Sequence, residues 1–502
     1  MKWGVSFMAR GLSHSTGLAV IGPIAALLFA ILPAHSQCIA IGDLSGDGAP
    51  DVVTANTSGN SISVSINKHN GTVSFNAPVN YTVGAGPTSV AIADVNGDLK
   101  PDVIVCNSTP GTISVLLGNG DGTLRPATDY SVLPPGETGT PAPSAVAVGD
   151  LRGHGILDVV VSNLGTSTVS VLQGDGKGVF HATTSLPVGS KPDSITLARF
   201  TASGHLDIAT ANSNSRSISV LLGNGDGTFQ GAQNSRAGYV PYAISAGDFD
   251  GDGVMDIAVC DNMSLSSGVN LLKGNGDGTF RNAVSFAGGT SPIAMASGDF
   301  NNDGRPDLAT ANTGTLDVSV FLNDCTGGFA AAITTAPGAN HIGIVSGDVD
   351  GDGNAELIFS NTPSGIAVVP ATAPTVKQVS LSPASVITGA SSIATVLLNR
   401  VTTSDGVSVR LSTDRADLVI VPDSVVVTAG SNSTTFPVIT IAPVSGIARI
   451  TATTGTVAAF ADLIVTPAPP VQGKGDMNGD GKLDIRDLVL VARIAFGLDP
   501  PR

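Results

Sequence analysis

Oxygen-bearing side chains recur along this chain in one nine-residue spacing, D-x-[D/N/S]-x-D-G-x-x-[D/E]. Five copies are intact, at residues 43–51, 94–102, 248–256, 299–307 and 348–356. Alternate positions place three short oxygen side chains on one side of a tight turn, and a carboxylate at position nine completes the set. Glycine at position six lets the backbone reverse. Hard oxygen donors at this density suit Ca²⁺.

The predicted calcium ligands lie at positions one, three, five and nine of each intact copy, and we expect one Ca²⁺ ion in each of the five loops. Only the second copy lacks the glycine, because Leu99 stands at position six. The predicted ligands are Asp43, Ser45, Asp47, Asp51, Asp94, Asn96, Asp98, Asp102, Asp248, Asp250, Asp252, Asp256, Asp299, Asn301, Asp303, Asp307, Asp348, Asp350, Asp352 and Glu356.

Two further frames, 150–158 and 199–207, have lost the ligand pattern. Arg152 and His154 occupy ligand positions in the first of them, and the second keeps only Asp207. A cationic side chain in a ligand position repels a metal ion, so we expect no calcium in either frame. They still raise the count to seven frames, numbered here 1 to 7 in chain order, which indicates a repeat architecture.

The charge balance agrees with metal sites and excludes some partners. The net charge is −16 with only 24 Lys and Arg, which argues against nucleic acid or an anionic membrane surface as a partner. Of the 40 acidic residues, 17 lie in the five intact loops and four more in a C-terminal loop. About half of the acidity therefore belongs to predicted metal sites.

The first 36 residues have the pattern of a secretory signal peptide. Lys2 and Arg10 give a positive start, an apolar run covers 18–32, and Ala34-His35-Ser36 resembles a cleavage site. The apolar run is short for a membrane-spanning helix. We expect a secreted protein, extracellular or at the cell surface, without membrane insertion after cleavage. An uncleaved membrane anchor is the alternative.

The four cysteines do not form a predicted disulfide framework. Cys106 and Cys260 occupy the same place in their repeats, where other copies have alanine or serine, so we interpret both as small buried residues. Cys38 and Cys325 have no evident partner in the sequence.

Each repeat has the same order of apolar runs. One run leads into the acidic loop, a second leaves it, a third follows, and a glycine-rich turn such as 118–122 precedes a fourth extended stretch. Four strands per unit and seven units over 38–370 predict an all-β, seven-bladed β-propeller, with a solenoid as the alternative. The last unit shows no clear fourth strand, so ring closure is expected to rest on packing between the last and first units.

The repeats over 38–370 resemble the FG-GAP/VCBS family, whose best-known members are the integrin-like β-propellers of integrin α chains. The resemblance implies structural Ca²⁺ on the rim of the ring and a role in cell adhesion or ligand binding. We expect an extracellular protein or polysaccharide as the partner. The rest of an integrin ectodomain is absent from this sequence, so the resemblance does not identify the ligand.

The chain after the repeats changes character. A Pro/Ala linker ends at Pro374, and 376–467 shows short runs of alternating apolar and polar residues. About seven short strands in this stretch predict an immunoglobulin-like β-sandwich. The stretch resembles the bacterial Ig-like spacer domains of secreted proteins, which implies a spacer role.

A second linker, 468–475, precedes a final motif in 476–502. Its oxygens stand at positions 1, 3, 5, 9 and 12, as in an EF-hand calcium loop, and a short apolar helix is predicted after it, so we expect one further Ca²⁺ here. The motif resembles one half of a dockerin, which implies a cohesin-like partner for the helix. The alternative is a lone calcium-capped helix that folds back on the sandwich. The predicted ligands are Asp476, Asn478, Asp480, Asp484 and Asp487.

The sequence offers no catalytic constellation that we recognise. H-E-x-x-H and G-x-S-x-G motifs are absent, and Glu137 and Glu356 are the only glutamates. We therefore hypothesise a secreted calcium-binding protein for adhesion or for ligand or polysaccharide binding, in which calcium is structural. The alternative is an extracellular polysaccharide lyase or glycoside hydrolase, or its accessory subunit, docked through the dockerin-like tail. Tyr239 and Tyr242 are the only local aromatic pair that could contact a sugar.

Overall fold

The computed structural model describes residues 38–467 apart from short gaps at 71–72, 264–267, 302–303, 325–326, 336–340, 352–354, 362–364, 371–375, 399–406, 429–430, 442–444 and 455–456. The predicted signal peptide 1–36, the linker 468–475 and the calcium loop and helix in 476–502 lie outside the described residues. Within the described part, the chain is all-β, with one short 3₁₀ turn at Thr57–Gly59. No helix among the described residues has the length and apolar character needed to cross a membrane.

Seven antiparallel sheets, called sheets 1 to 7 here, follow one another along the chain, and the strands of each sheet pair in sequence order. Sheet 1 contains β1 (Ile39–Gly42), β2 (Asp51–Asn56), β3 (Ser61–Ser65) and β4 (Val79–Thr82). Sheet 2 contains β5 (Pro87–Ala93), β6 (Asp102–Asn107), β7 (Thr112–Leu116) and β8 (Thr128–Ser131). Sheet 3 contains β9 (Pro143–Gly149), β10 (Asp158–Asn163), β11 (Thr168–Gly174) and β12 (Phe180–Pro187).

Sheets 4 to 7 repeat this arrangement, except that sheet 7 has three described strands. Sheet 4 contains β13 (Pro192–Ala198), β14 (Asp207–Asn212), β15 (Ser217–Leu221) and β16 (Gln233–Arg236). Sheet 5 contains β17 (Pro241–Gly247), β18 (Asp256–Asp261), β19 (Gly268–Leu272) and β20 (Val284–Ala287). Sheet 6 contains β21 (Pro292–Gly298), β22 (Asp307–Asn312), β23 (Asp317–Phe321) and β24 (Ile333–Thr335), and sheet 7 contains β25 (His341–Gly347), β26 (Glu356–Asn361) and β27 (Gly365–Pro370).

In sheets 1 to 5, the fourth strand is far more exposed than the three inner strands. All six residues of β6 are buried, whereas β8 is mostly exposed. The inner strands are covered on both faces by neighbouring sheets, so valine and isoleucine can occupy successive positions without alternation. Phe180 and Phe329, which follow the glycine-rich turns, are buried and make edge-to-face ring contacts, as expected for residues that pack between sheets.

Neighbouring sheets share hydrophobic cores, and this packing also joins the first sheet to the seventh. Ile39 and Ile41 of sheet 1 lie in one cluster with Val345 and Ile358 of sheet 7. Among the described strands, none of sheet 1 pairs with a strand of sheet 7. The contact between these two sheets is therefore a packing contact between faces, which is the arrangement of a β-propeller without an exchanged strand.

The cysteines lie in the interior of the sheets. Cys106 and Cys260 are fully buried, as the sequence predicted. The sequence did not predict a partner for Cys38, but its Sγ lies 2.9 Å from Oγ of Ser360, in a hydrogen bond that also joins sheet 1 to sheet 7. Burial raises the pKa of the Cys38 thiol to about 11. Cys325 lies outside the described residues.

Residues 376–466 form a β-sandwich with a core of its own. One sheet contains β28 (Val376–Ser382), β30 (Ser391–Leu398), β34 (Ser433–Thr440) and β32 (Val419–Ile420), in that order. The other contains β29 (Ser385–Ile387), β36 (Val457–Thr466), β35 (Gly446–Thr454), β31 (Val407–Thr413) and β33 (Ser424–Val427). Inward residues alternate with exposed ones along β30 and β34, which is the pattern that the sequence showed.

Candidate metal centres

The acidic loops, which have the numbers of their frames and sheets, all connect the first strand of a sheet to its second strand. In loop 5, Gly251 and Gly253 at positions four and six have φ angles of 76° and 84°. This backbone turns two N–H groups toward the first aspartate, so that Asp248 Oδ1 accepts from Gly251 N at 2.7 Å and Oδ2 accepts from Gly253 N at 2.9 Å. The tight turn thus orients the carboxylate at position one.

The carboxylate at position nine joins the loop to the third strand. Asp256 Oδ2 accepts from Phe249 N at 3.0 Å, and Oδ1 accepts from Gly274 N, at the end of β19, at 2.8 Å. The sequence predicted only a ligand here, whereas the structure shows a side chain that also connects three segments of one sheet. The same pair of backbone donors reaches Asp51, Asp102, Asp207 and Asp307.

Two loops bring three carboxylates together. Asp248, Asp250 and Asp256 each offer an oxygen, and these three oxygens lie within 4.8 Å of one another. Asp348, Asp350 and Glu356 form the same arrangement in loop 7. Like charges at such distances repel each other, and a cation among them removes the repulsion.

Not every predicted ligand joins these clusters. Asp252 is exposed, and its Oδ1 accepts from Val254 N at 2.8 Å, so it supports the turn in this structure. Asp303 and Asp352 lie outside the described residues, as do the five predicted C-terminal ligands, Asp476, Asn478, Asp480, Asp484 and Asp487.

Loops 1, 2 and 6 have a neutral oxygen side chain at position three, and loops 1 and 2 have the same local geometry as loop 5. In loop 1, Asp43 Oδ1 accepts from Gly46 N at 2.7 Å, and Ser45 N donates to Asp51 Oδ2 at 3.0 Å. In loop 2, Asn96 Oδ1 accepts from Asp98 N at 2.9 Å. The other predicted ligands that the structure describes here are Asp47, Asp94 and Asp102 in loops 1 and 2, and Asp299, Asn301 and Asp307 in loop 6.

Burial makes the position-nine carboxylates poor anions when no cation is near. Desolvation raises the pKa of Asp102 to about 6 and that of Asp256 to about 6, with further contributions from the neighbouring loop aspartates. Burial also raises the pKa of Asp51 and of Asp207. A buried carboxylate with this property is stabilised in its charged form by a nearby positive charge.

Frame 3 supplies that positive charge from the protein. Arg152, at position three, donates from Nε to Asp158 Oδ2 at 3.1 Å and from Nη2 to Asp158 Oδ1 at 2.6 Å. Nη2 also donates to Gly174 O at 2.7 Å. The sequence predicted that Arg152 would exclude a metal ion, and the structure adds that its guanidinium forms a two-point ion pair with the position-nine carboxylate.

Frame 4 has a different cationic substitution. Arg199 stands at position one, where the intact loops have aspartate, and donates from Nε to Gly204 O at 2.8 Å. The carboxylate at position nine, Asp207, keeps both of its backbone donors.

Loop 5 also has a cation that sequence reasoning missed, because Lys273 Nζ lies 3.3 Å from Asp250 Oδ2. Only the fold brings this lysine, just after β19, to the loop.

The loops also contact the next sheet through the carbonyl group at position two. Leu44 O accepts from Gly122 N of sheet 2 at 2.9 Å. Phe249 O accepts from Asn323 Nδ2 of sheet 6, and Val349 O accepts from Asn67 Nδ2 of sheet 1, both at 2.7 Å. A change in a loop therefore affects the contact between two sheets as well as the hairpin that carries it.

Comparison with solved structures finds matches at low sequence identity. A lectin from Agrocybe aegerita that recognises non-reducing terminal N-acetylglucosamine is 22% identical, with 59% of this chain and 80% of the lectin covered and a TM-score of 0.43. BBS1N, solved in complex with ARL6DN, is 14% identical, with coverage of 68% and 93% and a TM-score of 0.48. A putative 6-phosphogluconolactonase from Bacteroides uniformis is 17% identical, with coverage of 64% and 84% and a TM-score of 0.44.

Comparison with curated proteins finds no match. The family model of the FG-GAP-like repeat, in contrast, matches residues 43–105, 95–161, 199–259, 261–310 and 299–359. These matches cover more than half of the chain and include frames with and without an intact acidic loop. The chain therefore belongs to the FG-GAP-like repeat family and has its β-propeller fold.

Proposed function

We propose that this protein is a secreted, calcium-stabilised β-propeller that binds an extracellular protein or polysaccharide. The observation that carries the calcium role is the clustering of Asp248, Asp250 and Asp256, repeated by Asp348, Asp350 and Glu356. Their donor set consists only of oxygen, which is the preference of Ca²⁺. Frame 3 supports the same reasoning, because the protein supplies a cation where the ligand pattern is lost.

The proposed role of the ions is structural. The carboxylate at position nine accepts from the loop and from the third strand, so a cation held there keeps three segments in register. Loops 1, 5 and 7 also contact the next sheet through the position-two carbonyl. Bound Ca²⁺ would therefore stabilise single hairpins and the contacts between sheets, and its loss would weaken both.

The proposed architecture is a seven-bladed ring followed by an Ig-like spacer and a dockerin-type calcium loop and helix. The ring is supported by the hydrophobic cluster and the hydrogen bonds that join sheet 1 to sheet 7. The spacer is supported by the two-sheet sandwich at 376–466. The dockerin-type tail, with a cohesin-like partner, and the signal peptide rest on the sequence alone.

A binding role fits a scaffold of this kind. A ring of sheets presents the loops between its strands on two faces, where residues can change without loss of the core. We propose that such loops contact the ligand and that the ions keep them in place. Adhesion to an extracellular protein and binding of a polysaccharide use this scaffold in the same way.

Metal analysis and thermal unfolding test the calcium role. We expect purified protein to contain about six Ca²⁺ ions, five in the ring loops and one in the C-terminal loop, and EGTA to lower the melting temperature. Asp256→Asn should remove one ion and part of the calcium-dependent stabilisation. His181→Asn, on an exposed part of β12, is the control and should leave both unchanged. Protein without bound calcium, or an identical melt in EGTA, would remove the structural role.

Incubation with a panel of polysaccharides tests the binding role. We expect retention of the protein on at least one insoluble polysaccharide in the presence of Ca²⁺, without new reducing ends or unsaturated products. Release of such products would replace the binding role with the enzymatic alternative.

A further inference from the structure

Two arginines and a tyrosine meet at the boundary between sheets 4 and 5. In β15 and β16, Ser217 pairs with Arg236, so Arg216, which precedes Ser217, lies at the same end of the hairpin. Tyr239 follows in the linker to β17. The guanidinium carbons of Arg216 and Arg236 lie 5.7 Å and 5.8 Å from the centre of the Tyr239 ring, within the range of cation–π contacts.

The two arginines border an open cavity of about 300 Å³ lined by Ser215, Arg216, Ser217, Asn234, Ser235 and Arg236. Both arginines are exposed, and Tyr239 is 45% exposed. Over the ranges that the structure describes, neither guanidinium makes a hydrogen bond or an ion pair with the protein. Their N–H donors are therefore available to a ligand.

The repeat itself shows that the scaffold does not need these residues. Strand pairing places Thr82, Ser131, Pro187 and Ala287 where Arg236 stands in sheet 4. At the same spacing in the linkers that follow β4, β12 and β20, the residue that corresponds to Tyr239 is Ala85, Ser190 or Thr290. The large and charged side chains are thus confined to one of the repeated positions in the ring.

The backbone of Arg216 follows the turn of the repeat. Its φ is 58°, in the left-handed region, and the residues at the same place in sheets 1, 2, 3 and 6, which are Asn60, Gly111, Ser167 and Leu316, have φ angles of 49°, 68°, 57° and 56°. The turn therefore has this conformation whichever side chain it carries, and among these five positions only sheet 4 has a charged side chain.

The linker that holds Tyr239 is fixed by a second local change. Asp261 ends β18 at the place where Asn107 and Asn212 end the corresponding strands of sheets 2 and 4. It is buried, and its carboxylate accepts from Tyr239 N at 3.0 Å and from Val240 N at 2.7 Å. The backbone that carries Tyr239 is therefore held in position before any ligand arrives, which lowers the entropy cost of binding.

We propose that Arg216, Arg236 and Tyr239 form a binding site for an anionic sugar unit of an extracellular polysaccharide. A guanidinium matches a carboxylate or a sulfate group with two parallel hydrogen bonds, and an exposed aromatic ring packs against the apolar face of a sugar ring. Serine and asparagine at the border of the cavity can bond with sugar hydroxyl groups. The site rests on the proposed polysaccharide-binding function and specifies the charge of the ligand.

Calorimetric titration of the full chain with saturating CaCl₂ tests the site. The probes are hexagalacturonate, a sulfated heparin hexasaccharide and neutral maltohexaose, so that carboxylate, sulfate and neutral ligands are compared. We expect one of the anionic probes to bind and maltohexaose to bind at least tenfold more weakly, as charge-assisted hydrogen bonds predict. Raising the NaCl concentration should weaken the interaction.

The matched variants are Arg216→Gln, Arg236→Gln and the control Arg281→Gln, which removes an equally exposed arginine from the turn of sheet 5. We expect each site variant to weaken binding about tenfold, and the control to change it less than twofold. Unchanged calcium-dependent melting confirms that the variants are folded.

Four results would overturn the site. Equal losses in the control would assign binding to the overall charge of the protein, and undiminished binding by both site variants would place the ligand elsewhere. Both results keep the polysaccharide-binding function. Absence of binding to all three probes, together with retention on a neutral insoluble polysaccharide, would reject the anionic site and keep the broader function. Absence of binding to any polysaccharide would reject both.

Discussion

Frame 3 allows the exchange of one kind of cation for another. Arg152 provides a guanidinium to Asp158, which is fully buried, in the place where the intact loops have a metal-ligand pattern. Arg152→Asp together with His154→Asp gives this frame aspartates at positions one, three, five and nine, as in loop 5. We expect this double variant to bind one more Ca²⁺ ion than the wild type.

The size of the effect follows from the ion pair that is removed. Removal of one partner from a buried pair costs about 3–5 kcal/mol, and the lower value applies here because the Arg152 side chain is 20% exposed. The unfolding entropy is about 2 cal/mol/K per residue, and roughly 330 residues lie between the start of sheet 1 and the end of sheet 7. A loss of about 3 kcal/mol therefore lowers the melting temperature by about 4 °C. Calcium at 100 times its Kd should return about 2.7 kcal/mol.

Differential scanning calorimetry with and without calcium measures both quantities. Because the wild type should itself respond to calcium, the test is the difference between variant and wild type at each calcium level. We expect the melting temperature of the variant to lie about 4 °C below that of the wild type in calcium-free buffer, and less than about 1 °C below it at saturating calcium. Metal analysis should count one additional ion.

Two controls separate metal binding from loss of the arginine. Arg152→Ala removes the cation without providing a ligand, and should be destabilised equally with and without calcium. Arg415→Asp removes an arginine from an exposed pair with Asp417 and should leave the melting temperature nearly unchanged, because solvent screens this pair. A double variant whose deficit is the same at both calcium levels would refute the idea that the guanidinium and the ion have equivalent roles.

Three further predictions concern other parts of the ring. Asp102 and Asp256 have pKa values of about 6 in the folded chain without metal, above their unfolded values, so the folded state retains protons that the unfolded state releases. The free energy of unfolding of calcium-free protein should therefore fall from pH 4 to pH 7, by up to about 3 kcal/mol for each group. Urea titrations at each pH measure this change. Leu99 has a φ of 63° and is 83% exposed, so Leu99→Gly should stabilise the protein by about 0.5–1 kcal/mol in the same assay, and a loss would contradict the assigned strain. Asn67→Ala removes the donor to Val349 O and should cost about 1–3 kcal/mol, measured by urea unfolding, whereas an unchanged midpoint would show that this bond does not support ring closure.

The sequence predicted the parts of the fold that local chemistry determines. Position-six glycines such as Gly253 have the positive φ that the turn requires, and the apolar run from Asp102 to Asn107 is a buried strand, as expected. Packing between the last and first units was also predicted, from the missing fourth strand. For the glycines and the buried strand, the residue type restricts the backbone or the burial without reference to distant parts of the chain.

The contacts that the sequence did not predict join residues far apart in the chain. Asn67 bonds with Val349 across 282 positions, and Lys273 reaches Asp250 only because β19 runs back beside the loop. The meeting of Arg216 with Arg236 depends on the register of β15 and β16. Such pairs follow from strand order and sheet packing, which residue spacing alone does not specify.

The two frames without the ligand pattern belong to neighbouring sheets, 3 and 4, and this has a consequence for the stability of the ring at low calcium concentration. When the environment holds little calcium, we expect order to be lost first in the sheets on either side of this pair, whose loops we propose to hold Ca²⁺. Arg152 in frame 3 is covalently part of the chain, so its ion pair with Asp158 does not depend on the calcium concentration. A ring built in this way should come apart in stages, with its middle section surviving the longest and serving as the template on which the remainder reassembles when calcium returns.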